Sequence, residues 1–271
     1  LMTPTGLATA GGEFFDRIAM LGQKTKNKPY QFTRFSQREE PRLALIKPAW
    51  NGSRVLIYCA PGMKPLSIYS GELGTFGGNP QTVRMTSDEK DLHTVTPEEG
   101  RMTAWIRQFL ALHSSGTYDV DSITALRPIN GFQRKVEDRH RCDTSAKTLL
   151  TDGGQLLVTS SSTLQWMNGE MAVSQPNIDA VEMDAFRPNI VLEGLPANAE
   201  DVIARIAFGR HSIRFGGLCV RCPVTQVNQK NGERRTDKQP LAWLGKHRPA
   251  RPPENAGATF GVNCVLSPAP N

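Results

Sequence analysis

Short runs of β-branched and aromatic residues, each ended by a turn signal, recur along the chain and restrict the folds that it can adopt. The runs 43–48 (LALIKP) and 54–60 (RVLIYCA) flank an Asn51-Gly52 dipeptide, which is typical of a tight hairpin turn. The 24 glycines and 19 prolines of the chain interrupt the later runs in the same way. This spacing predicts a mixed α/β, β-rich fold, barrel-like and built in two parts.

One segment between the strand-like runs has helical spacing instead. Thr96 suits the N-cap of a helix, Pro97 suits its first position, and Glu99 completes a capping box. These signals predict a helix over about 97–112. Its apolar face consists of Ala104, Trp105, Phe109 and Leu112.

A segment of mixed charge without periodicity divides the chain. Residues 129–155 combine acidic and basic side chains with glycines and carry no apolar repeat, as is typical of a linker or loop. We therefore expect an N-terminal domain at 1–128, with the predicted helix inside it, and a second domain at 156–271.

The second domain shows four local patterns. Residues 155–167 predict a strand that runs into a helix, and residues 185–194 predict a strand entered through Arg-Pro-Asn. Residues 198–209 predict a short helix or turn that leads to another strand. Residues 211–233 predict a long, kinked hairpin that closes at Asn231-Gly232.

Composition and charge narrow the classes of function. No apolar run approaches the roughly 20 residues that a membrane-spanning helix needs, and the odd number of cysteines, 5, suits a reducing compartment. The net charge of +6 is concentrated in residues 230–251, where seven Lys or Arg face two acidic residues. This basic segment fits a solvated loop, or a docking surface for an acidic protein or an anionic ligand. Nucleic acid is not expected as a partner, because the segment lacks interleaved exposed aromatics.

Cys219 and Cys222 form the one closely spaced cysteine pair. A zinc site needs about four ligands, and His211 and His247 fit no finger spacing. A thioredoxin-like dithiol belongs at a helix N-terminus, whereas this pair precedes a β-branched stretch. Two buried thiols, or one thiolate that ligates a soft metal with Arg221 favouring its charged form, are the other readings. The spacing alone leaves these four alternatives open.

Seven segments together resemble the MOSC superfamily, named after the C-terminal domain of molybdenum cofactor sulfurase. Within it they are similar to the mitochondrial amidoxime-reducing component and its bacterial homologues. Phe-Arg-Pro-Asn, Cys-x-Arg-Cys and the Thr-x-Val-x-Gln that follows are the most specific of the shared patterns. In chain order the segments are FDR (15–17), SQREEPRLALIKP (36–48), LLVTSSSTL (156–164), FRPNIVLEG (186–194), CVRCPVTQVNQKNGE (219–233), PLAWLGKHR (240–248) and FGVN (260–263).

The resemblance implies a fold and a set of site residues. The expected fold is a MOSC β-barrel domain that follows an N-terminal MOSC-type β-barrel domain, with a few helices. Cys222 matches the cysteine that ligates molybdenum in the family, and is therefore expected to be the metal ligand and the catalytic residue. Residues expected to bind the rest of the molybdenum cofactor (molybdopterin) are Arg17, Thr159, Ser160, Arg187, Asn189, Arg221 and Thr225.

The resemblance also implies an activity and partners. The expected enzyme reduces small N-hydroxylated substrates, such as amidoximes and hydroxylamines, to amines. Its electrons come from a separate protein, either a b-type cytochrome or a flavin or iron–sulfur protein, and its compartment is mitochondrial or bacterial cytoplasmic. A sulfur-carrier role is a further reading; it draws on an upstream pyridoxal-dependent domain, so pyridoxal phosphate binding is a family-level association.

The chain also departs from the family pattern. It begins with Leu-Met, after the Pro-Val-Lys-Ser-Cys strand that usually opens the family, and stops before the usual closing strand with Gly-Asp. The first strand of the N-terminal domain is therefore expected to be absent. Barrel edges left open in this way suggest an alternative function, a cofactor-free structural or accessory subunit of a larger, possibly mitochondrial, protein assembly that covers them.

Overall fold

The structure is a computed structural model of the 271-residue chain. It describes 2–3, 6–7, 19–28, 30–51, 55–69, 79–85, 92–114, 116, 118–129, 134–136, 146–148, 150–151, 153–208, 211–251 and 257–268.

These residues form strands β1 to β17 and helices α1 to α3. The strands are, in order, Met2–Thr3, Gly6–Leu7, Met20–Lys24, Phe32–Phe35, Lys47–Trp50, Val55–Cys59, Leu66–Tyr69, Gln81–Arg84, Leu92–Glu98, Ile123–Pro128, Arg134–Lys135, Lys147–Thr148, Leu156–Ser160, Ile190–Leu192, Arg205–Phe208, His211–Arg221 and Ala258–Pro268. The helices are Arg101–His113, Ser161–Ser174 and Leu241–His247.

The chain divides into two compact units. The first comprises Ala8–Gln133 together with Leu1 and Lys230–Gly232, and the second comprises Met2–Leu7, Arg134–Gln229 and Glu233–Asn271. The division after Gln133 falls inside the segment that the sequence marks as a linker. That segment also contains β11 and β12, which pair as a small antiparallel sheet.

The first unit contains a closed five-stranded barrel with the strand order β10-β3-β4-β8-β9. Its pairings are antiparallel except for the parallel pair β4–β8. A separate antiparallel sheet, β5-β6-β7, contributes to the same apolar core as α1. Phe109 and Leu110 of α1 are fully buried in this core. The expectation of a β-rich, barrel-containing fold is therefore confirmed.

The hairpin predicted around Asn51-Gly52 is confirmed, because β5 and β6 pair antiparallel on either side of it. The strand predicted over 43–48 is wrong for most of its length. Pro41–Leu45 form a 3₁₀ turn, in which the side chain of Glu40 accepts a hydrogen bond from the Arg42 amide. A carboxylate at this capping position and a proline at the start of the turn outweigh the β-propensity of the residues that follow.

Helix α1 is confirmed, but the predicted capping box is wrong. Thr96 and Pro97 belong to β9, where Pro97 is opposite Leu126 of β10, and the helix starts at Arg101 after Gly100. The carboxylate of Glu98 instead accepts a hydrogen bond from the Thr103 amide at 2.9 Å. Strand pairing therefore continues for two residues beyond the sequence-based N-cap, and Glu98, beside the predicted Glu99, caps the helix.

The second unit is built on a five-stranded sheet with the order β14-β13-β17-β16-β15. Strand β13 is parallel to β14 and antiparallel to β17, and β17 is also antiparallel to β16. The strand-to-helix prediction for 155–167 is confirmed by β13 and α2, which follow each other directly. The predicted strands after Arg-Pro-Asn and within 198–209 are confirmed as β14 and β15.

The two faces of this sheet carry different cores. Ala258 and Phe260 of β17 pack with α2 and α3, whereas Val262 and Cys264 pack with β13 and β16 on the other face. Even-numbered residues change face because the β16–β17 register shifts between Leu218 and Val220, and Gly261 has φ +73°. This β-bulge sits in the central strand.

The predicted hairpin over 211–233 is only partly present. Its first arm, β16, pairs with β15 and β17, and the stretch after Cys222 is a 3₁₀ turn, Pro223–Gln226, instead of a strand. An isolated bridge between Val227 and Arg234 encloses the predicted turn. Within the described part of the chain, no helix is long and apolar enough to cross a membrane.

Candidate functional site

Strands β13, β14 and β16 end at the same edge of the second unit's sheet. Both β13 and β16 are antiparallel to β17, which lies between them, and β14 is parallel to β13. The three strands therefore run in one direction. Their last residues, Ser160, Leu192 and Arg221, are carried to one edge together with the start of β17.

Cys222 follows the last residue of β16 and carries a free, half-buried thiol. Its backbone carbonyl accepts two hydrogen bonds from Thr225, one from the amide at 3.1 Å and one from the hydroxyl at 3.0 Å. Thr225 is itself almost fully buried. The 3₁₀ turn thus fixes the backbone of Cys222 while its side chain stays reachable.

Arg221 is directed to Cys219. One guanidinium nitrogen, Nη1, donates to the Cys219 sulfur at 3.0 Å, and Nη2 donates to the carbonyl oxygen of Phe186 at 2.7 Å. The guanidinium carbon is 5.5 Å from the centre of the Phe186 ring. The third nitrogen, Nε, is buried and has no hydrogen-bond partner among the described residues. The sequence analysis expects the Arg221 guanidinium to favour the charged form of Cys222, but in the structure this guanidinium contacts Cys219.

The 3₁₀ turn Met183–Phe186 is attached to this edge at three points. The Phe186 ring stacks on Phe260 with 3.8 Å between ring centres, its carbonyl binds Arg221, and the Met183 sulfur accepts a hydrogen bond from Thr159 at 3.3 Å. Arg187, the next residue, is exposed and adopts a left-handed conformation with φ +53°. The turn therefore presents the Arg187 backbone at a well-fixed position.

Asn189 is bound to β13 through both its backbone and its side chain. Its amide donates to the Leu157 carbonyl at 2.9 Å, and its side-chain oxygen accepts from the Leu157 amide at 2.8 Å. These bonds place the first residues of β14 beside β13. The role of Asn189 in cofactor binding stays a prediction, and its contact with Leu157 gives it a structural role as well.

Thr159 and Ser160 are fully buried at the end of β13. Ser160 occupies the N-cap position of α2, yet its hydroxyl makes no capping hydrogen bond. Its Oγ is buried without a partner in the described part of the chain. The hydroxyl lies beside the first amides of α2, which in any α-helix have no partner within the helix.

The structure thus brings five of the predicted residues to one sheet edge. They are Thr159, Ser160, Arg221, Cys222 and Thr225. Arg187 and Asn189 lie on the connection from the Met183–Phe186 turn into β14. Arg17 lies outside the described residues. Among the described residues no three or more His, Cys, Asp or Glu side chains form a metal-binding group, so nothing there supports the zinc alternative.

A buried polar network beside this edge is absent from the sequence-based site. Glu200 is fully buried and accepts a hydrogen bond from the Thr163 hydroxyl at 2.8 Å, and the Thr163 hydroxyl accepts one from the Asn198 amide at 2.8 Å. Arg248 binds both carboxylate oxygens of Asp201 at 2.8 Å. Burial raises the pKa of Glu200 above its usual range. The local signal for this network in the sequence is the adjacent acidic pair Glu200-Asp201. Such pairs also occur in surface loops, so the signal is not specific.

A comparison with known protein families finds a match over this part of the chain. The model of the MOSC domain matches residues 145–267. These residues contain β12 to β16, all three strand ends of the site, and nearly all of β17.

Curated relatives agree with this match. Molybdenum cofactor sulfurase from Bos taurus is 26% identical over 216 residues, which are 74% of this chain and 23% of that protein. The sulfurase from Oryza sativa subsp. japonica is 27% identical over 190 residues, which are 69% of this chain and 21% of that protein. Mitochondrial amidoxime-reducing component 1 from Mus musculus is 28% identical over 152 residues, or 56% of this chain and 41% of that protein.

The chain spans under a quarter of the length of these sulfurases and two fifths of the amidoxime-reducing component. Two of the three names refer to molybdenum cofactor, and all three relatives are less than 30% identical to this chain. The domain match and the relatives agree on the same part of the molecule: residues 145–267 match the model of the MOSC domain, and this range contains the strand ends of the candidate site.

Proposed function

We propose that this chain binds molybdenum cofactor at the shared edge of β13 and β16 and reduces N-hydroxylated compounds to amines. The substrates would be amidoximes and hydroxylamines, with electrons from a separate redox protein. One observation carries the proposal. The edge that holds Cys222 also holds two buried polar atoms without partners among the described residues, Ser160 Oγ and Arg221 Nε. Buried polar atoms are nearly always hydrogen-bonded in a complete site.

The residues at the α2 end of the edge fit the phosphate of the cofactor. A helix N-terminus offers unpaired amides and a partial positive charge, which together favour an anion. In α2 the capping hydroxyl of Ser160 adds a further donor. No Asp or Glu lies in the first turn of this helix, so nothing in that turn repels a phosphate.

The residues at the β16 end fit the metal. A thiolate is the ligand type that a soft metal such as molybdenum prefers, and the Cys222 thiol is half-buried on a backbone fixed by Thr225. When bound, the molybdenum centre supplies a two-electron couple for reduction of the substrate's N–O bond. Cys222 would hold the metal, and Thr225 would hold the Cys222 backbone in place through its two hydrogen bonds.

Arg221 and Asn189 attach the segment 186–189 to the edge of the sheet. Arg221 joins the Phe186 carbonyl to Cys219, and Asn189 joins the next segment to Leu157. Arg187, between these two attachments, would direct its guanidinium to the cofactor. An arginine is suited to this task because its planar fork matches the geometry of phosphate oxygens.

The electron donor would bind through the basic segment 230–251. Lys238 and Lys246 are exposed there, whereas Arg235 is paired with Asp237 and Arg248 with Asp201. The exposed cations would attract an acidic redox protein and speed its association at low salt. Pyridoxal phosphate binding and the compartment stay predictions.

Substitution of the two cysteines tests the proposal. Chain purified from a host that makes the cofactor is analysed for molybdenum, and the oxidised pterin is measured by fluorescence. Cys222→Ser should contain no molybdenum, whereas Cys219→Ser, the matched control, should keep it. Molybdenum retained by Cys222→Ser, or lost equally from both variants, would overturn the assignment of the ligand. A wild-type chain without cofactor would favour the accessory-subunit alternative.

The similarity to the sulfurases favours a second candidate function, in which the chain binds the cofactor in order to modify it. The two sulfurases match more of this chain than the amidoxime-reducing component does. An assay of the molybdenum-loaded chain with an artificial one-electron reductant and benzamidoxime separates the two candidates. Formation of benzamidine supports N-reduction; a loaded chain without turnover supports the cofactor-modifying role.

A further inference from the structure

Glu200 contacts the first turn of α2, the helix whose N-terminus is the proposed phosphate site. Its carboxyl oxygen Oε2 accepts a hydrogen bond from Thr163, the third residue of α2. Ser160, whose hydroxyl has no partner among the described residues, is the N-cap of the same turn. Residues three apart on a helix have side chains about 5–6 Å apart. The carboxyl is therefore within one helical turn of an anion bound at the N-terminus of α2.

The charges around Glu200 leave its carboxyl without a dedicated cation. Asp201 and Arg248 are the charged groups that act on it, and Arg248 already binds both oxygens of Asp201 and the side chain of Asn198. Strands β13 and β17 and the first turn of α2 contain no Asp, Glu, Lys, Arg or His. The second oxygen of Glu200, Oε1, is buried without a partner in the described part of the chain.

We propose that Glu200 is a positioning residue that couples anion binding at the α2 N-terminus to the uptake of one proton. The proposal rests on the anion site of the proposed function. Thr163 can donate to the carboxyl in either protonation state, so the turn keeps its geometry. When the carboxyl is neutral, the partial positive charge at the N-terminus of α2 remains available to attract a phosphate group. When the carboxyl is ionised, it neutralises that charge.

The sign of the effect follows from the charges. An ionised Glu200 would cancel the partial positive charge of the helix end and repel the anion, so affinity should fall as pH rises through the pKa of Glu200. The bound anion should raise that pKa further. Burial already raises it above the usual value of 4.5, which moves the transition toward neutral pH. A difference of about one pKa unit between the two states corresponds to about a tenfold change in affinity.

Sulfate is a suitable probe, because its charge does not change over this pH range. The amide resonances of 161–163 are followed by NMR in sulfate titrations from pH 5.5 to 8, with chloride keeping the ionic strength constant. Wild type should lose about tenfold in sulfate affinity over this range. Glu200→Gln, which keeps an acceptor for Thr163, should bind sulfate with an affinity that does not vary with pH. Glu193→Gln, which removes an exposed carboxylate just beyond β14, should keep the wild-type profile.

The outcomes separate the two proposals. Absence of sulfate binding to wild type at every pH would overturn the anion site and with it the proposed function. Binding that does not vary with pH in wild type, or that varies equally in Glu200→Gln, would overturn the role of Glu200 alone. If Glu200→Gln does not fold, calorimetry of wild type in two buffers of different ionisation enthalpy decides the point. Proton uptake close to zero would then refute the coupling.

Discussion

Arg221 shows how the position of one side chain changes the meaning of a motif. In Cys219-x-Arg221-Cys222 the arginine is next to the proposed ligand in sequence, yet it contacts the cysteine two residues back. Side chains two apart on a strand share a face, and adjacent ones do not. The alternation of β16 therefore explains why the charge goes to Cys219 and the carbonyl of Phe186.

Replacement of Arg221 by lysine should reveal this double attachment. A single ammonium group cannot reach both the Cys219 sulfur and the Phe186 carbonyl with the geometry of the guanidinium fork. We expect a loss of about 1–2 kcal/mol in the free energy of unfolding, measured by urea denaturation at pH 7. Arg214→Lys on the same strand is the control and should change stability by less than about 0.5 kcal/mol. Equal stability of wild type and Arg221→Lys would contradict the attachment.

At the scale of the element, the start of α1 depends on Glu98 and not on the predicted capping residue Glu99. Glu98 is buried and binds the Thr103 amide, whereas Glu99, among the described residues, forms an exposed ion pair with Lys24 at 3.7 Å. Glu98→Gln should cost about 1–2 kcal/mol. Glu99→Gln should cost less than about 0.5 kcal/mol. Thermal unfolding of both variants checks the order, and a larger loss for Glu99→Gln would restore the sequence-based capping box.

The β-bulge of β17 is a second element whose effect can be measured. A Cβ on Gly261 would lie 2.7 Å from both the Thr159 methyl and the Val158 carbonyl, at φ +73°. Gly261→Ala should therefore cost at least about 2 kcal/mol, because both the backbone conformation and the contact are unfavourable. It should also weaken cofactor retention, because Thr159 must move.

Gly169→Ala is the matched control for this substitution. Gly169 lies within α2, and nothing is within 4 Å of its added Cβ. Alanine should raise the free energy of unfolding by about 0.5–1 kcal/mol. Chemical denaturation of both variants tests the pair, and a Gly261→Ala variant as stable as wild type would argue against the bulge.

Local patterns predicted these elements unevenly. The change from strand to helix at 155–167 was visible, because the apolar run ends in hydroxyl residues that start a helix. The shift of face within β17 was not visible, since one inserted residue reverses the alternation without any sign in the composition. The sequence predicts a strand from residue 43 and a hairpin arm after Cys222, where the structure has the 3₁₀ turns Pro41–Leu45 and Pro223–Gln226. Both turns begin with proline, and aliphatic and β-branched residues do not distinguish such turns from strands.

At the scale of the whole molecule, each unit has its own apolar core. Phe109 is fully buried in the first unit, and Phe260 is fully buried in the second. Phe109→Ala should cost about 3–5 kcal/mol and lower the hydrogen-exchange protection of α1 and β10. Amides of β13, β16 and β17 should keep their protection, because a separate core stabilises them. Equal loss of protection in both units would show that they unfold as one.

Some residues of the candidate site could be predicted from the sequence and others could not. The residues that share a motif with a known family, such as Cys222 and Ser160, could be found without coordinates. Glu200 could not, because its importance comes from complete burial and from Thr163, which is 37 residues away in the chain. Long-range burial of a charged side chain leaves no local pattern.

The position of β17 in the sheet has a consequence for biosynthesis. The strand lies between β13 and β16 but is translated after both. Its first residue, Ala258, follows Ser160 by 98 residues. Until Ala258–Pro268 leave the ribosome, the strand that pairs with both β13 and β16 is missing from the sheet. A cofactor that needs both ends of this edge must therefore be inserted into the finished domain, after synthesis of the strand that joins them.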